Sequence, residues 1–322
     1  MQLPSLQIGK KRAKTCIIQG GMSICIALAP LAAAVAREGG VGTIGGMGIN
    51  PDDLRTHIRT ARQLGTGIMG VNLMYVGALF DQLLEVCIEE GPDYVAIGAG
   101  FARGPFARLQ EHHIPAFAII SSPKAARIAS RTPGISGVVI ESGEAGGHLG
   151  PKDPHVSTWE LFPEVYGELR ECGFEGPAIA AGGIIDADDV RRALAMGADG
   201  VQLGTRFAMS VESSASWAMK EAWLRATGSQ VEWWSPTGYA SRAIVPHTDE
   251  RLPRLDGVNL RCRNCLKVCS HRDDPSRSHC IRQALINSQQ GSVGDGLVFS
   301  GARVGDIKDI LPVREIFQQL TC

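Results

Sequence analysis

The feature that most constrains this chain is a recurrence of short, β-branched apolar runs, each followed by a stretch of helical pattern. Eight such runs occur, at 16–19, 41–44, 68–72, 94–98, 116–120, 137–140, 178–181 and 201–203. Runs this short and this uniformly apolar suit strands buried on both faces, as in parallel sheets covered by helices. Helical patterns lie between them at 30–37, 51–64, 76–89, 105–112, 123–130, 158–172 and 186–196. Asn50 is placed to cap the second of these, with Pro51 at its first position. Strand–helix units that finish by about residue 210 predict a (β/α)8 TIM barrel. A doubly wound open sheet is the alternative that periodicity does not separate from it.

Past that point the pattern changes. A helical stretch at 213–227 precedes an irregular segment containing Trp233, Trp234, Pro236 and Gly238, then a basic, cysteine-rich region and a helical pattern at 313–320. The expected division is therefore a barrel over 1–212 and a helical and irregular subdomain with a cysteine-rich extension over 213–322.

Composition narrows the function class. Lys and Arg number 32 against 33 Asp and Glu, a net charge of −1, so no global field draws the chain to nucleic acid or membrane. No apolar run approaches the ~18 residues of a membrane span, and none follows the basic residues near Met1. A cytoplasmic enzyme acting on a small molecule is expected. The nine cysteines are then not a disulfide framework, because cytosolic thiols are kept reduced.

Glycines at predicted strand ends mark the chemistry. Gly182 and Gly183 follow the seventh run, and Gly204 and Thr205 follow the eighth. In barrels of this kind the loops after strands seven and eight frequently hold a phosphate, because glycine lets backbone N–H groups approach the anion. The sixth run ends in Glu141-Ser-Gly-Glu-Ala-Gly146-Gly147-His148. Such a loop can press its backbone against a flat ring while presenting one imidazole, the side chain suited to proton transfer near neutral pH. His148 is the catalytic candidate. Gly21 and Met22 end the first run and Asn72 the third, where backbone and amide groups could meet the edge of a heterocycle.

The segments IIQGGM, AREGGVGTIGG, GVNLM, ESGEAGGHLG, PAIAAGGI and GADGVQLGTRF resemble the nitronate monooxygenase (2-nitropropane dioxygenase) family and its relative, the flavin-type enoyl-acyl-carrier-protein reductase. The likeness runs from about residue 15 to 212, and SPTGYASRAI extends it to about 245. It implies an FMN-binding (β/α)8 barrel. By that resemblance Met22 and Asn72 contact the isoalloxazine, Gly147 lies along it, and Gly182, Gly183, Gly204 and Thr205 hold its phosphate. Gly21, Glu141 and Gly146 complete the expected cofactor wall. His148 matches the family's active-site histidine, which serves proton abstraction in the nitronate enzymes and substrate turnover in the reductase.

One motif departs from that family. Cys262-x2-Cys265-x3-Cys269-x10-Cys280 is similar to the cysteine pattern of the four-iron cluster in flavin barrels of the 2,4-dienoyl-CoA reductase type. It implies a 4Fe-4S cluster, with structural zinc or free thiols as the alternatives. From Arg251 to Arg282, eight Arg and Lys face three Asp, which suits a solvated face or a thioester- or phosphate-bearing substrate. RNA fits poorly, since no aromatic ladder accompanies the charge.

The expectation is an FMN-dependent oxidoreductase, using NAD(P)H transiently if at all, since no G-x-G-x-x-G motif opens a βαβ unit. A homodimer is compatible with the sequence. A non-catalytic, flavin- or metal-stapled binding protein is the alternative from another class.

Overall fold

A computed structural model describes residues 3–233, 235–244 and 252–321. The eight runs become eight parallel strands that close on themselves: Ile17–Gln19, Val41–Gly45, Ile68–Met74, Val95–Gly98, Ala116–Ile120, Ile135–Glu141, Ala178–Ala181 and Gly200–Leu203. Closure is made by the last strand pairing with the first, Val201 opposite Ile17 and Leu203 opposite Gln19. The open-sheet alternative is thereby excluded. Val71, Val95, Ile179 and Val201 are fully buried, as strands covered on both faces require.

The helices start where local chemistry places them. Asn50 accepts from the Asp53 N–H at 2.9 Å and Pro51 opens the helix Pro51–Leu64. Asp186 with Asp189, and Ser157 with Glu160, form capping boxes ahead of Ala187–Ala195 and Thr158–Glu171. Two helical patterns are shortened by competing contacts. The one expected at 76–89 begins only at Phe80, because the backbone before it bonds outward: Ala78 N–H to the Cys265 carbonyl, and Lys267 N–H to that of Val76. The one expected at 213–227 is helical over Trp217–Arg225, where the Ser216 hydroxyl caps it.

Two small sheets lie outside the barrel. A hairpin of Leu6–Ile8 and Lys11–Ala13 covers the end where strands begin, Lys11 pairing at 2.5 Å with Asp93 just ahead of a barrel strand. At the opposite end Gln230–Glu232, Ser241–Ala243 and Gly147–His148 form a three-stranded antiparallel sheet.

The helix Val313–Thr321 packs against Ala29–Arg37, Ala187–Ala195 and Thr205–Ala208. It buries Val313, Ile316, Phe317 and Leu320, and the Phe317 ring lies 5.9 Å from that of Phe207. Residues 252–312 cover the cavity end of the barrel, joined by a separate apolar cluster that includes Leu252, Leu266, Ile281 and Leu297. Trp234 and Arg251 lie outside the described residues, and the SPTGYASRAI segment is described throughout, up to Ile244. No helix among the described residues is long and apolar enough to cross a membrane.

Candidate active site

A cavity of about 960 Å³ opens at the C-terminal ends of the barrel strands. Of the residues singled out from sequence, Gly21, Met22, Asn72, Glu141, Gly146, Gly147, His148, Gly204 and Thr205 line it. The wall is close to bare backbone. A Cβ on Gly21 would lie 2.9 Å from Asn72 Cγ, and one on Gly146 would lie 2.6 Å from the Ser300 backbone. Gly147 has φ +90, a conformation that suits glycine.

Gly182 and Gly183 are placed differently. They adopt φ +111 and +64 and turn toward Ser142, Thr158 and the Glu144 carboxylate, and neither is in the cavity wall. The Glu144 carboxylate is engaged there by the Thr158 N–H at 2.8 Å.

His148 sits on the short strand Gly147–His148, paired with Ser241 and Arg242 of the distant segment. Arg242 secures the loop, its Nε donating to the Gly143 carbonyl at 2.9 Å. The imidazole stands edge-on to Phe299 at 5.3 Å, and its Nε2 lies 2.7 Å from the Ser235 hydroxyl, which lies 2.9 Å from that of Thr237. Burial pushes His148 down to about 4, so the ring is neutral at physiological pH and offers a lone pair without first losing a proton.

Glu141 is the opposite case. It ends the sixth strand opposite Ala181, forms no side-chain hydrogen bond or ion pair among the described residues, and burial pushes its carboxyl up to about 7. The folded protein therefore keeps a proton that the unfolded chain releases between its usual value of 4.5 and about 7. Stability from this group is present at low pH and is lost as pH rises through that window. Glu141→Gln should flatten the pH dependence of the melting temperature between pH 5 and 8, with its gain over the parent largest at pH 8. Thermal melts of both proteins measure this, and parallel curves would refute it.

Sequence reasoning passed over four residues of this site. Phe299 and Ser300 line the cavity from an irregular segment with no motif, and the Ser300 hydroxyl is buried without a hydrogen-bond partner among the described residues. Ser235 and Arg242 lie inside the SPTGYASRAI likeness, which carried the signal without indicating what either side chain touches.

The four-cysteine expectation of a 4Fe-4S cluster finds no support in the structure. Among the described residues no group of three or more His, Cys, Asp or Glu is placed to hold a metal ion. Cys262 is exposed, and its sulfur lies 3.4 Å from the Asn264 N–H, while Cys280 is the residue preceding the helix Ile281–Gln289. Burial pushes the Cys265 thiol up to about 11 and raises Cys280 as well, with the neighbouring cysteine sulfurs adding to both shifts. Spacing along the chain did not fix where the sulfurs point.

Glycine-backed chemistry at the C-terminal rim of a closed parallel barrel defines the class: this is a (β/α)8-barrel enzyme. The chain belongs to the nitronate monooxygenase family, whose family model matches residues 5–79 and 74–322. It is similar to the (3aS,4S,5R,7aS)-5-hydroxy-7a-methyl-1-oxo-octahydro-1H-indene-4-carboxyl-CoA dehydrogenase of Mycobacterium tuberculosis, at 31% identity over 65% of this chain and 57% of that protein. It thus matches little more than half the length of that relative. A probable nitronate monooxygenase of Staphylococcus saprophyticus is 28% identical over 69% of this chain and 73% of that one. Among solved structures, FabK from Thermotoga maritima superposes with a TM-score of 0.78 at 30% identity, covering 95% of this chain and 91% of that one. With these relatives the protein is an oxidoreductase.

Proposed function

We propose that the chain is an FMN-dependent oxidoreductase in which His148 handles the proton beside the flavin. The observation that carries this reading is a neutral imidazole set in a cavity wall of glycine backbone at the strand ends. The site suits a flat cofactor for a second reason: the buried Ser300 hydroxyl at the wall lacks a partner among the described residues, and a ring edge or phosphate would supply one.

Met22, Asn72, Gly21, Gly146 and Gly147 would hold the ring system, and Gly204 with Thr205 the phosphate. Gly182 and Gly183 would contribute through a rearrangement of Glu144. When bound, FMN supplies two-electron redox chemistry at its N5 position, and the protein supplies orientation and electrostatics. His148, held by Ser235 and Phe299, keeps a lone pair or an N–H at fixed aim depending on its tautomer. The Ser235 and Thr237 hydroxyls would give its proton a path to Thr237, which lines the cavity with Tyr239.

The substrate reading follows from cavity size and from the relatives. About 960 Å³ is near the top of the roughly 300–1,000 Å³ typical of single-ligand pockets, leaving room beyond a flavin for a substrate larger than a small nitronate. An acyl thioester is favoured over a nitronate on that ground, and the carboxyl-CoA named for the mycobacterial relative is of that chemical class.

The test is an absorbance spectrum of the purified protein, release of the flavin by denaturation, and anaerobic titration with NADH and NADPH. One FMN per chain, bleached by either donor, is expected. Protein that purifies without flavin and does not take up added FMN would overturn the proposal.

A further inference from the structure

The basic segment that covers the cavity does not spend its charges evenly. Arg254 donates to the Ser276 carbonyl at 3.0 Å, Lys267 lies 4.0 Å from the centre of the Tyr75 ring, Arg272 reaches the Leu266 carbonyl at 3.1 Å, and Arg277 pairs with Asp274 at 2.9 Å. Arg263 and Arg282 are different. Both line the cavity, and neither has an ion pair or a side-chain hydrogen bond among the described residues. Arg282 is the second residue of the helix Ile281–Gln289, and Arg263 precedes Asn264, whose φ of +48 turns the chain there.

Two carboxylates share the cavity with them. Asp53 is committed to the cap of its own helix, taking the Asn50 amide N–H at 2.7 Å. Glu141 lies at the inner end, on the barrel strand. The same cavity is lined by the apolar side chains of Leu79, Phe80, Leu83, Phe101 and Ile128. The cavity therefore combines a glycine-backbone wall, apolar side chains and two guanidinium groups without a partner among the described residues.

We propose that Arg263 and Arg282 form a subsite for the phosphate groups of a nucleotide handle carried by one of the reactants, with the handle's apolar cargo directed inward. Guanidinium matches phosphate oxygens bidentately and is more weakly hydrated than ammonium, so an unpaired arginine pair at a cavity is suited to that anion. The chemistry has two sources, the diphosphate of a coenzyme A thioester or that of a nicotinamide dinucleotide. The inference rests on the proposed redox reading of the same cavity.

The experiment is equilibrium binding by calorimetry to the flavin-loaded full-length protein, with coenzyme A, pantetheine and NADPH as probes. The variants are Arg263→Gln, Arg282→Gln and the double substitution, with Arg277→Gln, a paired surface residue, as control. Coenzyme A should bind at least ~10-fold more tightly than pantetheine, which lacks the diphosphate. The double variant should erase that difference, weakening coenzyme A by about 10- to 100-fold while leaving pantetheine unchanged. Arg277→Gln should behave as the parent.

If NADPH rather than coenzyme A shows this arginine dependence, the subsite stands and the handle belongs to the electron donor. Binding of both nucleotides that is indifferent to the two arginines, or no binding of either, overturns the proposal. Flavin content, read from the visible spectrum of each variant, keeps the two readings apart: an intact flavin with no arginine effect removes the subsite alone, whereas absence of flavin removes the redox reading.

Discussion

Replacing His148 with alanine should leave the flavin bound and lower turnover by about 10²-fold or more, the usual loss for a general acid or base. That corresponds to about 2.7 kcal/mol of transition-state stabilisation. The ring faces the cavity from a two-residue strand whose position is set by backbone pairing with Ser241 and Arg242, so removing the imidazole leaves the glycine wall in place. Because burial holds His148 near 4, the neutral form dominates throughout pH 6–8 and the parent's rate should not decline on this account across that range. The loss belongs below about pH 5, where the imidazolium begins to form and the base is consumed. Flavin content by absorbance and steady-state rates with the same donor measure both parts. Unchanged turnover with bound flavin would take His148 out of the chemistry.

Gly21→Ala should cost the protein its flavin. The added Cβ would overlap Asn72 Cβ and approach its Cγ to 2.9 Å, and neither atom is the free end of a flexible chain. Asn72 is anchored in the third barrel strand, where it pairs with Gly45 and Ala96, so the loop after the first strand must move instead, carrying Met22 with it. Overpacking of this kind typically costs about 1–3 kcal/mol. A drop in melting temperature and a fall in flavin stoichiometry of ~10-fold or more are expected, and a variant that purifies with full flavin would show that the two residues do not set the wall. Conservative changes at Thr205, whose hydroxyl accepts from the Gly301 N–H at 2.8 Å, should be milder.

The barrel was legible because its signal is local. Eight uniformly apolar runs with capped helices between them point to a parallel α/β fold, strand limits such as 116–120 and 178–181 match the structure at both ends, and the pairing of the last strand with the first decides for the barrel over the open sheet. Boundaries failed where tertiary hydrogen bonds competed with propensity, as before Phe80. The sixth strand begins at Ile135 rather than 137 because Ser136 bulges, its hydroxyl taking the hydrogen bonds of Ala116.

The site was legible in part. His148 and the glycines at strand ends follow from where a parallel barrel puts its chemistry, but Phe299 reaches the cavity wall, Arg242 the His148 loop and Ser235 the His148 ring through contacts between segments far apart in the chain. No periodicity records those contacts. Gly182 and Gly183 show the complementary limit: a glycine pair after a strand announces a tight turn without saying which way the turn faces.

The helix Val313–Thr321 carries a consequence for how the protein is made. A chain emerging from the ribosome has all eight strands once residue 203 is out, yet its ring of helices still lacks the stave that shields Phe207 and the seam between the first and seventh helices. The cover over the cavity is synthesised before that stave. In chain order the cover thus comes before the stave, and the seam at the flank is sealed by a later segment than the one that lies over the cavity.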